Sequence, residues 1–329
     1  MSIAQKVVAD RVNANILNLS DDSLIFVGGI PRSGTTLVQN VIDSHSKILG
    51  LPEFKNIHRI INLQRQMKDE VKKGFIDLIC TEQELNSYFK SFIKSFFEPL
   101  KKKHGYEYIS EKTPQNLLVF QDLIELFPKS KFVLVVRDPR AIVNSTKKVN
   151  ERARKQKVQS AVGSFYEYTN KIREQYQLTN KLIKKYPDKI FFIRYEDLVN
   201  DIERITKDFC QYMSINWEPE MMKPGEQHHL NEKGMLTDYN KAYYDKKLFG
   251  RNADSSSLYK WKKELTKREK NYIYKLFKRE RLEYKFGYQL EKEPMSMIDH
   301  IYSTTKNASE KMVRIYYLIQ RYVRKFSRI

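Results

Sequence analysis

The segment Phe26–His45, FVGGIPRSGTTLVQNVIDSH, constrains this chain more than any other. An apolar run ends in two glycines, passes through Ile30-Pro31-Arg32-Ser33-Gly34 and enters helical periodicity at Thr35. A buried strand feeding a helix through such a turn is the setting in which backbone amides and the helix dipole gather an anion. Gly29 and Gly34 keep the GxxxxG spacing of a phosphate-binding loop. The lysine that a nucleotide triphosphatase needs is missing: Thr35 stands in its place, followed by Thr36. Without it the β- and γ-phosphates lose their main counter-charge, while Arg32 supplies charge at a different point. An ordinary strand–helix turn is the plainer reading, but an arginine, a serine and two threonines packed into one turn favour an anion site.

Further strands are predicted in EYISEKTP (107–114), KFVLVVRD (131–138) and KIFFIRYEDLV (189–199). Helices are predicted over 35–44, in QNLLVFQDLIELF (115–127), and over 141–148 and 159–185, with another near Asp201. Buried strands alternating with helices imply a parallel sheet with right-handed crossovers, an α/β fold of P-loop-like kind flanked by helices. Ligands in such sheets bind beyond the carboxyl ends of the strands, where the glycine turn, the VRD turn and the RYED turn all lie. Residues 53–103 read as a helical insertion. Residues 223–257 are polar, glycine-dotted and aperiodic, as in a lid, a binding loop or disorder.

The division expected is a catalytic domain over 1–293 and a basic amphipathic helical tail over 294–329. In the tail Met312, Ile315, Tyr316, Ile319, Tyr322, Val323 and Phe326 form one stripe, flanked by lysines and arginines. Docking on the domain, a homodimer contact and peripheral contact with an anionic membrane through 306–329 all fit it.

Sixty Lys+Arg face 40 Asp+Glu, so the chain carries a field that gathers anions, or simply a lysine-rich solvated surface. Cys80 and Cys210 each lie in apolar patterns read as helical, and free buried thiols are expected rather than a disulfide. No metal motif is present. The first residues, MSIAQKVVADRVNANIL, lack the apolar run of a signal peptide, and no window is apolar enough to span a bilayer. A cytoplasmic protein is the expectation.

The second motif is FVLVVRDPR followed by Ser145. Arg137 at a strand's carboxyl end aims at the ligand crevice, and Ser145 lies two turns along the helix that Pro139 opens, so both can reach one phosphate. The two motifs together resemble the nucleotide signatures of sulfotransferases that use 3′-phosphoadenosine 5′-phosphosulfate (PAPS). PRSGTT is similar to their 5′-phosphosulfate loop, and VVRDPRAIVNS to their 3′-phosphate segment. The likeness covers roughly Leu24 to Leu290. PRSGTT, LPEF and EKTPQN place it nearest the branch with tyrosylprotein and bacterial carbohydrate sulfotransferases.

The resemblance implies PAPS as donor, PAP as product and no metal. It assigns Arg32, Ser33, Gly34, Thr35 and Thr36 to the phosphosulfate, and Arg137 and Ser145 to the 3′-phosphate. Tyr195 falls near the nucleotide, and Ser257 and Lys260 resemble C-terminal donor contacts. Glu53 matches the place of the catalytic base, although LPEF has one acid where relatives tend to have two. A surface glutamate capping the next helix is the plainer alternative. Lys112 matches a lysine that neutralises the leaving phosphate. His45 reads as structural; His58, His228 and His229 remain competing bases.

The function expected is sulfuryl transfer to a hydroxyl, foremost on a carbohydrate or glycolipid, with tyrosine in a peptide as the alternative acceptor. A P-loop kinase and a basic nucleic-acid or membrane-binding module are the other classes. The missing lysine speaks against the first, charge alone suggests the second, and no nucleic-acid partner is expected.

Overall fold

A computed structural model of the chain describes residues 20–157, 163–230 and 252–294. Contacts divide the chain into two units, Met1–Trp261 and Lys262–Ile329.

The first unit is built on five parallel strands: β1 (Leu24–Gly29), β2 (Ile48–Leu51), β3 (Tyr108–Lys112), β4 (Lys131–Val136) and β5 (Ile190–Arg194), ordered β2-β3-β1-β4-β5. Helix α1 (Thr35–Asp43) follows β1. Helices α2 (Ile57–Lys72) and α3 (Glu82–His104) lie between β2 and β3, and α4 (Phe120–Leu126) between β3 and β4. Then come α5 (Pro139–Lys155) and α6 (Phe165–Lys185) before β5, and α7 (Tyr195–Asn200) and α8 (Ile202–Met213) after it.

Every residue of β1 is buried, which is why it reads as a continuous apolar run instead of an alternating one. One face packs Ile25 and Val27 with Val38, Val41 and Ile42 of α1 and Phe209 of α8. The other stacks Phe26 on Phe127 and Phe132, with ring centroids 5.5 and 5.6 Å apart. Each such side chain contributes about 1.5–3 kcal/mol on burial.

The strand order fixes where ligands go. From β1 the chain crosses towards β2 on one side of the sheet; from the adjacent β4 it crosses towards β5 on the other. The crevice opens between the carboxyl ends of these two strands, and Gly29 and Val135 are paired in register at its mouth.

Four strands appear where they are expected. The fifth, β2, is a four-residue edge strand that is not among those predicted from the sequence, being too short to carry a period. The helical insertion resolves into α2 and α3. A capping box of Thr81 and Glu84 starts α3, and Gly105 in the left-handed region ends it. Helix α5 runs to Lys155, seven residues past its expected end. Cys80 and Cys210 are free and buried, but Cys80 lies in the connection just before α3, not in a helix: apolar residues there lack the length for one. Among the described residues no helix is long and apolar enough to cross a membrane, and no cluster of three or more His, Cys, Asp or Glu could hold a metal ion.

In the second unit, α9 (Lys267–Phe277) starts at a capping box of Thr266 and Glu269, and α10 (Leu282–Phe286) follows. Glu293 is tied to α9 by Lys270 at 3.0 Å and by Asn271. The tail 306–329 and most of the aperiodic stretch, 231–251, lie outside the described residues, as do residues 1–19.

Candidate active site

The turn after β1 is tightly determined. Ser33 N–H donates to the Ile30 carbonyl at 2.9 Å. Arg32 and Gly34 both have left-handed backbones, with φ of 76° and 101°. A Cβ on Gly34 would fall 2.2 Å from the Tyr195 ring, and one on Gly29 would fall 2.6 Å from the Val135 carbonyl. Glycine is therefore required at both positions, at Gly34 by conformation as well as by space. The first amides of α1 have no intrahelical partner, and Gly34 offers no side-chain cap. Ser33 Oγ is fully buried with no hydrogen-bond partner. A buried orphan donor beside a helix N-terminus suits an acceptor-rich anion.

Lys112, last residue of β3, is completely withdrawn from solvent. Its Nζ donates to Glu53 at 2.8 Å and to Thr36 Oγ1 of the glycine turn at 3.4 Å. Burial pushes the Lys112 pKa below its ordinary value, and the Glu53 carboxylate opposes that shift. The Glu53 side chain is itself nearly buried, with Lys55 Nζ at 3.8 Å from its second oxygen. A proton acceptor, a cation and the anion loop thus meet in one chain of contacts.

On the other flank, Arg137 stacks its guanidinium 4.2 Å from the centre of the Tyr195 ring, the same ring that lies against Gly34. One arm donates to the Ser257 carbonyl at 3.3 Å, while Nε is buried without a hydrogen-bond partner. The Arg137 carbonyl accepts a hydrogen bond from Tyr176. Asp138 caps α5 and grips Arg140, whose guanidinium lies 3.9 Å from the Trp261 ring centre.

The sequence motifs separate Arg32 from Ser145. In the structure Arg32 Nε donates to Ser145 Oγ at 3.1 Å, so one hydrogen bond joins the two motifs. Ser257 meets Arg137 through its backbone carbonyl, and Lys260 is exposed. His45 is buried, with Nε2 facing the Asn216 carbonyl at 2.8 Å and Nδ1 accepting from Lys47 N–H. His229 is buried between Asp43 and the Pro224 carbonyl, at 2.6 Å from each, while His228 is exposed. Burial and Arg59 push the His58 pKa down.

Sequence reasoning did not single out Glu111. It is buried, and its carboxylate accepts from the Phe54 N–H at 3.0 Å, Thr113 Oγ1 at 2.6 Å and Asn116 Nδ2 at 2.6 Å. Two adjacent charged residues, Glu111 and Lys112, closing a strand in which every residue after Tyr108 is buried, were the available signal.

A model of the sulfotransferase family matches residues 24–219. Protein-tyrosine sulfotransferase 1 of Danio rerio is 28% identical over 203 residues, covering 60% of this chain and 54% of that protein. The Homo sapiens protein of the same name is 37% identical over 140 residues, covering 41% and 36%. The chain thus spans about half or less of these relatives' length. Among solved structures, the sulfotransferase domain from the curacin biosynthetic pathway superposes with a TM-score of 0.55 at 18% identity, covering 83% of this chain and 99% of that one, a likeness of fold. The chain belongs to the sulfotransferase family.

Proposed function

We propose that the protein transfers a sulfuryl group from PAPS to the phenolic hydroxyl of a protein tyrosine. The observation that carries this reading is buried Lys112, in contact with both Glu53 and the anion loop.

The donor supplies an activated sulfur between a phosphate and the incoming nucleophile. The glycine turn, with Ser33, Thr35, Thr36 and Arg32, holds its 5′ end at the α1 N-terminus. Arg137 and Ser145 hold the 3′-phosphate, and Tyr195 keeps Arg137 aimed. Glu53 takes the acceptor proton as the acceptor oxygen bonds to sulfur. The bond between sulfur and the bridging phosphate oxygen breaks, and its electron pair leaves on that oxygen. Lys112 neutralises the charge that develops there. Positioning and electrostatics dominate such a transfer, as in phosphoryl transfer.

The glycan acceptor favoured by the sequence motifs finds no support among the relatives, whose names are those of tyrosine sulfotransferases. That similarity is what moves the acceptor to tyrosine. The test supplies PAPS labelled in its sulfuryl group with tyrosine peptides, the same peptides carrying phenylalanine, and a set of oligosaccharides. Label on the tyrosine peptides alone is expected. Label on the saccharides alone overturns the acceptor, and label nowhere, with no binding of PAP, overturns the donor.

A further inference from the structure

Glu111 has no part in the transfer described above, yet it is a carboxylate buried at the end of β3, one residue from Lys112. Burying an ionised carboxylate costs several kcal/mol unless donors satisfy it. Here three do. Asn116, one of them, also donates to the Val27 carbonyl of β1 at 3.2 Å, and Thr113 N–H reaches the same carbonyl at 3.3 Å. The group therefore ties three pieces together: the end of β1 that leads into the glycine turn, the end of β3, and the loop after β2.

The third tie is the one with a chemical consequence. The β2–β3 ladder ends with Leu51 opposite Glu111. Beyond it the loop Pro52-Glu53-Phe54 has left the sheet, and the Glu111 side chain takes over by accepting the Phe54 N–H. The neighbouring Lys112, whose side chain leaves the strand on the opposite face, holds the Glu53 carboxylate. Two consecutive residues of β3 thus grip two consecutive residues of the loop, one by its backbone and one by its side chain. If Glu53 is the base, as proposed above, its backbone is set by Glu111.

We propose that Glu111 is a positioning residue for the transfer: its carboxylate anchors the base-bearing loop to the strand that carries Lys112, fixing Glu53 relative to the anion turn. The anchor is complete when the carboxyl is ionised, above about pH 7, because its oxygens then face donors only. An amide in its place turns an NH2 group towards Asn116 or towards the Phe54 N–H and Thr113 hydroxyl.

The test uses the full chain at about pH 8, where the Glu111 carboxyl is ionised, with Glu111→Gln, and Thr113→Val as a milder variant that removes one donor and keeps the shape. Hydrogen exchange, read by mass spectrometry on a peptide covering residues 51–56, follows the Phe54 amide directly and needs no acceptor. Transfer to a tyrosine peptide is measured per PAP-binding site, so that loss of folded protein does not count. Glu111→Gln is expected to raise exchange in the 51–56 peptide while a peptide covering β4 stays protected. Turnover should fall about 10²-fold, the cost of a misplacement near 1 Å, with PAP affinity within about twofold. Thr113→Val should move both readouts the same way by less, and it decides the matter if Glu111→Gln does not fold. Unchanged exchange at 51–56 overturns the anchor. Raised exchange with wild-type turnover overturns its part in the transfer. A wild-type chain that transfers nothing overturns the functional reading instead, and the exchange result still stands on its own.

Discussion

The Lys112 ammonium and the Glu53 carboxylate are 2.8 Å apart, and the surrounding protein covers both. A buried pair of this kind is poor evidence of stability, because desolvation offsets most of the attraction, but removing one partner is strongly destabilising.

Glu53→Gln keeps an oxygen towards Lys112 and removes the proton acceptor. Turnover per PAP-binding site should fall on the order of 10²-fold or more, with PAP affinity nearly unchanged in titration calorimetry. Wild-type turnover would move the base to His58 or dispense with one.

Lys112→Met fills the volume without the charge. Turnover should drop sharply, and Lys112→Arg should not restore it, because a forked guanidinium does not fit a fully enclosed ammonium site. Comparable rates for wild type and Lys112→Arg would remove Lys112 from the transfer.

Arg137→Ala should weaken PAP by about 1.5–3 kcal/mol, the worth of a hydrogen bond to a charged group. Binding of the nucleotide lacking the 3′-phosphate should barely change. Equal losses for both, measured by calorimetry, sink the assignment.

Gly34→Ala strains a left-handed residue and drives a methyl into the Tyr195 ring. A loss of about 1–3 kcal/mol in stability is expected. PAP binding should suffer with it, because Arg137 rests on the displaced ring. Urea unfolding with PAP titration checks both, and an unaffected protein would mean that the turn is not held as described.

Burial pushes the Glu111 carboxyl up to about 7, against the hydrogen bonds that pull it down. In the folded chain it therefore holds its proton over a range in which the unfolded chain has lost it. Its contribution to stability is greatest below the ordinary carboxylate value of 4.5, falls as pH rises towards 7, and is level above. Between pH 5 and 7, wild type should lose at most roughly 3 kcal/mol relative to Glu111→Gln. Parallel urea midpoints for the two proteins across that range would contradict it.

The apolar runs of β1 and β4 and the glycine turn were legible because their signal is local: burial on both faces, then residues that only a tight turn needs. Arg137 and Tyr195 could be named from their motifs, but the stacking of one on the other could not. The contact of Arg32 with Ser145 spans 113 positions and depends on a left-handed arginine that no periodicity reveals. Strand β2 escaped because four residues at a sheet edge leave no period. Glu111 escaped because its partners come from a loop, a strand end and a helical turn that only the fold assembles.

The central strand also sets the order in which the molecule can be completed. Leu24 of β1 pairs with Ile109, 85 residues on, and Ile25 with Lys131, 106 residues on, so neither neighbour exists when β1 is made. During synthesis β1 waits with two bare edges, the state most open to wrong pairing. The glycine turn is made well before β4, yet it is braced only after β4 docks, and parallel pairings so distant in sequence form slowly. Vulnerability to aggregation should therefore peak in chains cut between α3 and β4.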